Sequence, residues 1–433
     1  MLNVYSNKTN KNCEGWGRRN FIKVGTLGVS GGLTLADLLA ARAETKESKS
    51  KKSVVWLWLG GGATHVETFD PKMNAPAEFR SITGETSTNL TGVTLGGNFT
   101  EMGKVSDKLA FVRSFKHGNS GHGGGTHWLM TGYDNRNIDN GGLPTRPSMG
   151  SIISRVRGAN DPKSGIPTYV RLSGIAADGP AFLGAAYAPF DPNGDALNNM
   201  KLKLSSDQIE NRRFLLKKLD NFKKESDQSG LIEGLTAFER QAFDLIYGNA
   251  AEAFDLSKED PKTVERYSSD LGKKLLTARR LCEFGTGFVT VNYGGWDMHS
   301  NIKNGMNSRG PVVDHAVATF VQDVHDRGLQ DDILLVVTGE FGRTPRINKN
   351  GGRDHWSPLS TLALSGGGLN MGQVVGESSA KAEYPKTNPI TPQDLMATIF
   401  HVLGIDPNIQ FVDQGGRPIF MVEEGKAIKE LIQ

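Results

Sequence analysis

Apolar residues gather in short continuous runs closed by glycine. Val54-Val55-Trp56-Leu57-Trp58-Leu59 ends at Gly60-Gly61-Gly62, the pattern of a strand buried on both faces. Phe288 to Val291, Ile333 to Val337 and Leu362 to Leu364 repeat it, and Leu109 to Val112 is a weaker example. Between these runs the period lengthens to that of a helix. Ile209, Leu216, Leu219 and Phe222 share one helix face, as do Phe238, Ala242, Leu245 and Ile246, and also Val264, Leu271, Leu275 and Ala278. Thr391-Pro392 opens a further helix as N-cap and first helical residue, with Leu395, Ile399 and Leu403 inward. Strands alternating with helices predict an α/β fold, a mainly parallel sheet with helices on both faces. The helical segments from about 205 to 282 read as an insertion into one domain spanning residues 53–433.

The first 43 residues are patterned differently. Arg18-Arg19-Asn20-Phe21-Ile22-Lys23 precedes a glycine-rich apolar run from Val24 to Leu39 and then Ala41-Arg42-Ala43, the order of a charged region, an apolar region and a small-residue cleavage site. Residues 1–43 are thus expected to be a twin-arginine signal peptide read by the export machinery, with 44–52 as linker and a periplasmic or extracellular mature protein. The glycines and Asp37 disfavour a membrane span, so no stable membrane insertion is expected after cleavage. Cys13 falls in the signal, so the mature chain keeps Cys282 alone and forms no internal disulfide.

With 50 basic and 47 acidic residues and no block of like charge, the chain has no polyanion-binding tail, and nucleic acid is not an expected partner. The glycine runs match neither a dinucleotide nor a P-loop fingerprint.

Ligand-type residues concentrate after the strands, where open α/β sheets bind their ligands. His65, Glu67 and Asp70 follow the first strand. His117, His122 and His127 lie in the loop after Val112, Asp297 and His299 follow Val291, Glu340 and Arg343 follow Val337, and Arg353, Asp354 and His355 come shortly afterwards. Mixed histidine and carboxylate sets suit a divalent metal such as zinc or manganese. Asp297, His299, Glu340 and His355 are the leading ligands, with His65 and His127 completing the set. Arg343 and Arg353 offer forks that can clamp an anion, although Arg353 can instead pair with Asp354. His315, His325 and His401 fall on predicted helices and read as structural.

Taken as a set, the twin-arginine start, Gly60 to His65 with Thr68 to Lys72, Leu129-Met130-Thr131-Gly132, Trp296 to His299, Gly339 to Pro345 and Gly352 to Trp356 resemble a family of uncharacterised exported bacterial proteins. That family is related to sulfatases, within the alkaline-phosphatase superfamily. The resemblance implies a sulfatase-like fold. In sulfatases a metal-binding aspartate follows the first strand, where this chain offers His65, Glu67 and Asp70. Thr338 to Gly342 is similar to a Thr-Ser-Asp-His/Asn-Gly motif but carries Phe341 in place of the second ligand. Counting back from Thr131-Gly132 puts His122 where the modified nucleophilic cysteine would stand, so a formylglycine mechanism is excluded. The expectation is an exported metal-dependent hydrolase of sulfate, phosphate or related esters with His122 and Arg343 as catalytic candidates. Its partner would be an anionic small molecule or polysaccharide ester. A non-catalytic surface protein binding anionic polysaccharide is the alternative, and a redox enzyme ranks behind both for want of a cysteine cluster.

Overall fold

A computed structural model describes residues 52–193 and 250–433. The signal, most of the linker and two of the three helix faces expected between 205 and 282 lie outside the described residues.

The centre is a seven-stranded sheet. Its strands are β1 (Ser53–Trp58), β2 (Ala110–Val112), β3 (Tyr169–Arg171), β4 (Phe288–Asn292), β5 (Ile333–Thr338), β6 (Leu362–Gly366) and β7 (Gln373–Val375). They lie in the order β7-β2-β6-β5-β1-β4-β3. β1 pairs in parallel with β4 and β5, β3 with β4, and β7 with β2, while β6 runs antiparallel to both of its neighbours. The sheet is therefore mixed but mostly parallel.

Strand alternation divides β1 between two cores. Val55, Leu57 and Leu59 face one side with α3 (Asp270–Glu283) and α4 (Ile302–Asp326), whereas Val54, Trp56 and Trp58 face α2 (Met149–Arg157) and α5 (Pro392–Leu403). Every residue of β1 is buried, as its unbroken apolar run requires. α5 starts where the sequence places it: Thr391 Oγ1 accepts from Asp394 N, and the Asp394 carboxylate accepts from Thr391 N, closing a capping box.

Two elements differ from expectation. The helix face written by Val264 and Leu271 is broken into Pro261–Arg266 and α3, because the Ser269 side chain accepts from Gly272 N and starts a new helix. Residues His122–Thr131, expected as loop, form a helix, α1, despite three consecutive glycines. No helix among the described residues is long and apolar enough to cross a membrane.

Candidate metal centre

The carboxyl ends of β1, β2, β4 and β5 share one edge of the sheet, and the segments leaving them meet there. The reversed strand β6 is entered from that edge, which brings in the hairpin Gly342–Arg343 with His355–Trp356.

Three imidazoles and one carboxylate converge. Asp297 Oδ1 lies 3.0 Å from His299 Nε2 and 3.1 Å from His355 Nε2. Asp297 Oδ2 lies 3.4 Å from His122 Nε2, and the two Nε2 atoms of His299 and His355 are 3.1 Å apart. Ligand atoms of His122, Asp297 and His355 all fall within 4.8 Å of one another.

The far side of each ring fixes its proton. His355 Nδ1 is 2.9 Å from Ser120 O, an acceptor only, so that nitrogen carries the hydrogen. His299 Nδ1 donates to Asp354 Oδ1 at 2.6 Å, and His122 Nδ1 to Glu340 Oε1 at 2.8 Å. Each neutral ring then turns an Nε2 lone pair toward the Asp297 carboxylate. Four electron-pair donors facing one another repel unless protons or a cation sit among them. The hydrogen bond to Glu340 raises the pKa of His122, whereas burial lowers that of His355. Burial works to raise the pKa of Asp297, but the hydrogen bond and the positive charge of Arg343 outweigh it and hold the carboxyl well below its ordinary range.

The donors fit a divalent ion. Ligands about 2 Å from a tetrahedral centre stand roughly 3.3 Å apart; four of the contacts here run from 3.0 to 3.4 Å, and the ligand atoms of His122, Asp297 and His355 spread over at most 4.8 Å. Nδ1 hydrogen bonds to carboxylate and carbonyl are the usual outer support of metal-bound histidine. The side chains of His122 and Asp297 are 44% and 43% exposed, so a small molecule can reach the cluster.

Glu340 stands behind the cluster. Its Oε1 accepts from His122 Nδ1 and from Gly61 N (2.8 Å), its Oε2 is buried without a hydrogen-bond partner among the described residues, and its backbone carbonyl is 2.7 Å from His117 Nε2. Arg343 is fully buried. Its Nη2 contacts Asp297 Oδ1 at 2.5 Å and Gly61 O, Nε reaches Gly62 O, and Nη1 reaches Arg353 O. This fork holds protein atoms rather than facing open space. Arg353 is also fully buried and pairs with Glu67 at 2.8 Å and with backbone carbonyls, not with Asp354. It is closed to an outside anion.

His65 and His127 are not brought into the cluster. His65 Nε2 is 3.0 Å from Ala382 O, and His127 Nδ1 is 2.7 Å from Tyr133 O. Burial lowers both pKa values. Asp354, weighed from sequence only as a partner of Arg353, is the residue that orients His299. Phe341 lies beneath the rings, its centroid 4.4 Å from His355 and 5.1 Å from His122. Cys282 is buried on α3, and burial pushes its thiol up to about 12, which unsuits it as a nucleophile.

Residues 51–432 match the family described as "Protein of unknown function (DUF1501)". No curated protein matches the chain. Among solved structures, the chain is similar to the PsFucS1 sulfatase from Pseudoalteromonas sp., at 12% identity and a TM-score of 0.37, covering 85% of this chain and 70% of that one. The lipoteichoic acid synthase LtaP from Listeria monocytogenes matches at 9% identity and 0.37, covering 87% and 76%. The phosphonate monoester hydrolase SpPMH from Silicibacter pomeroyi matches at 13% and 0.33, covering 82% and 74%.

Proposed function

The chain belongs to the DUF1501 family, and we propose that it is an exported metal-dependent hydrolase of sulfate, phosphate or related esters, with His122, Asp297, His299 and His355 holding a divalent ion. One observation carries this reading: three Nε2 lone pairs surround one carboxylate while every Nδ1 is tied to a separate acceptor. A metal bound there would polarise an ester oxygen and lower the pKa of a bound water. The nitrogen-rich set favours zinc or a neighbouring transition metal over magnesium or calcium.

The protein's own groups divide the remaining work. Glu340 fixes the His122 tautomer, and Arg343 positions Asp297, whose depressed pKa keeps it anionic at neutral pH. Phe341 limits water on the inner side of the rings. His122 belongs to the ligand set in this account rather than acting as a nucleophile. The expected substrates are anionic esters, small or carried on a polysaccharide.

The reading is tested by loading the purified protein with zinc or manganese and assaying aryl phosphates, phosphonates and sulfates. Hydrolysis that disappears on chelation and in Asp297→Ala supports it. A metal-loaded protein that turns over none of these esters would favour binding of anionic polysaccharide without catalysis.

A further inference from the structure

We propose that the cluster discriminates by charge, taking esters whose reacting group carries one negative charge and disfavouring those that carry two, and that Asp354 sets this limit. The inference rests on the metal reading above and divides its substrates. Sulfate monoesters, phosphate diesters and phosphonate monoesters fall on the favoured side, and phosphate monoesters in their doubly charged form do not.

Three carboxylates surround the histidines, and one guanidinium opposes them. Asp297 meets His122, His299 and His355, Glu340 accepts from His122 Nδ1, and Asp354 accepts from His299 Nδ1 at 2.6 Å. Among the described residues, Arg343 on Asp297 is the only lysine or arginine within ion-pair distance of any of the three. With the histidines neutral, the surplus is two negative charges, which a single divalent ion cancels. A singly charged ligand then meets a neutral centre, and a second charge on it has no cation to answer it.

The three carboxylates differ in what balances them. The Glu340 side chain is 4% exposed and shares Oε1 between His122 Nδ1 and Gly61 N. Asp297 is compensated directly by Arg343. Asp354 has only neutral partners, His299 Nδ1 and Asn348 Nδ2 (3.2 Å from Oδ2), and its side chain is 54% exposed. One imidazole ring separates it from His299 Nε2, the atom that faces Asp297. Its charge is therefore uncompensated, open to solvent and near enough to act on an anion bound at the cluster.

Sulfate and methyl sulfate share a tetrahedral oxyanion and differ by one charge, so their relative affinity reads the limit. Both are titrated by calorimetry into zinc-loaded protein at low salt, where exposed charges act most strongly, with zinc content measured on the same samples. The wild type should bind methyl sulfate at least as tightly as sulfate. Asp354→Asn keeps an oxygen for His299 Nδ1 and removes the charge, and it should raise the affinity for sulfate relative to methyl sulfate roughly three- to fivefold. Asp354→Glu should keep the wild-type ratio. Weaker support of His299 would move both ions together and leave the ratio alone. A zinc-loaded wild type that prefers sulfate or binds neither ion, or an Asp354→Asn variant whose ratio stays within about 1.5-fold of wild type, overturns the proposal while the metal reading stands. A wild type that retains no zinc sinks both.

Discussion

Asp297 reaches its position through contacts with residues far away in sequence. The Arg343 guanidinium contacts it, and Gly61, at φ +109°, leaves space for its backbone: a Cβ on Gly61 would lie 2.5 Å from Asp297 N. Gly61→Ala should therefore cost about 1–3 kcal/mol in strained backbone alone and displace Asp297, seen as a lower melting temperature together with lost metal. Arg343→Lys keeps the charge but cannot satisfy four acceptors in one plane. Metal affinity should fall about 10–100-fold, as for other outer-shell changes, read by competition with a chelator. An unchanged affinity would mean that Asp297 does not need the fork.

At the scale of elements, the sequence announces the buried strands most clearly because their runs are continuous and their ends are glycine. It is weaker on which side chains turn inward beyond those ends. His65, His122 and His127 stand in similar polar, glycine-rich surroundings, yet only His122 faces Asp297, since the turn from His65 to Asp70 and the length of α1 aim the other two rings elsewhere. Arg353 and Asp354, which the sequence allows to pair, part on entering the hairpin: Arg353 is set on Glu67, and Asp354 turns with His355 toward His299. The commitment of Glu340 to Gly61 N and His122 depends on a meeting of β1, α1 and β5 that no local pattern encodes.

Helices α3 and α4 are joined by charge as well as by apolar packing. Glu259 contacts Arg279, Arg280 and Arg327, and Arg279 also contacts Asp323. Burial works to raise the pKa of Glu259, but the arginine contacts outweigh it and bring the value down to about 2 from an ordinary 4.5. A depressed carboxylate stabilises the fold above its unfolded pKa, and that contribution is lost as pH falls from about 4.5 toward 2. Glu259→Gln should lower stability at pH 7 by about 3 kcal/mol, because it leaves a buried arginine short of its partner. The variant should also show a flatter loss of stability with acid than the wild type, measured by denaturant unfolding at a series of pH values.

Across the whole molecule, the metal would join the segments after β2 and β4 to the hairpin before β6. A ligand that binds only the folded chain stabilises it by about 2.7 kcal/mol at a hundred times its Kd. Chelation should therefore lower the melting temperature by several degrees and zinc should restore it. The export proposal concerns the other end of the chain. Replacing Arg18 and Arg19 by lysine should retain the precursor in the cytoplasm, and mature protein appearing outside at the normal level would contradict twin-arginine routing.

The central claim is that His122, Asp297, His299 and His355 hold an ion together, and elemental analysis of the purified protein tests it most directly. The wild type, dialysed against zinc and then against metal-free buffer, should retain about one ion per chain. Asp297→Ala and His355→Ala, folded by circular dichroism, should retain almost none. A wild type that emerges metal-free, or both variants holding as much zinc as the wild type, would contradict the account.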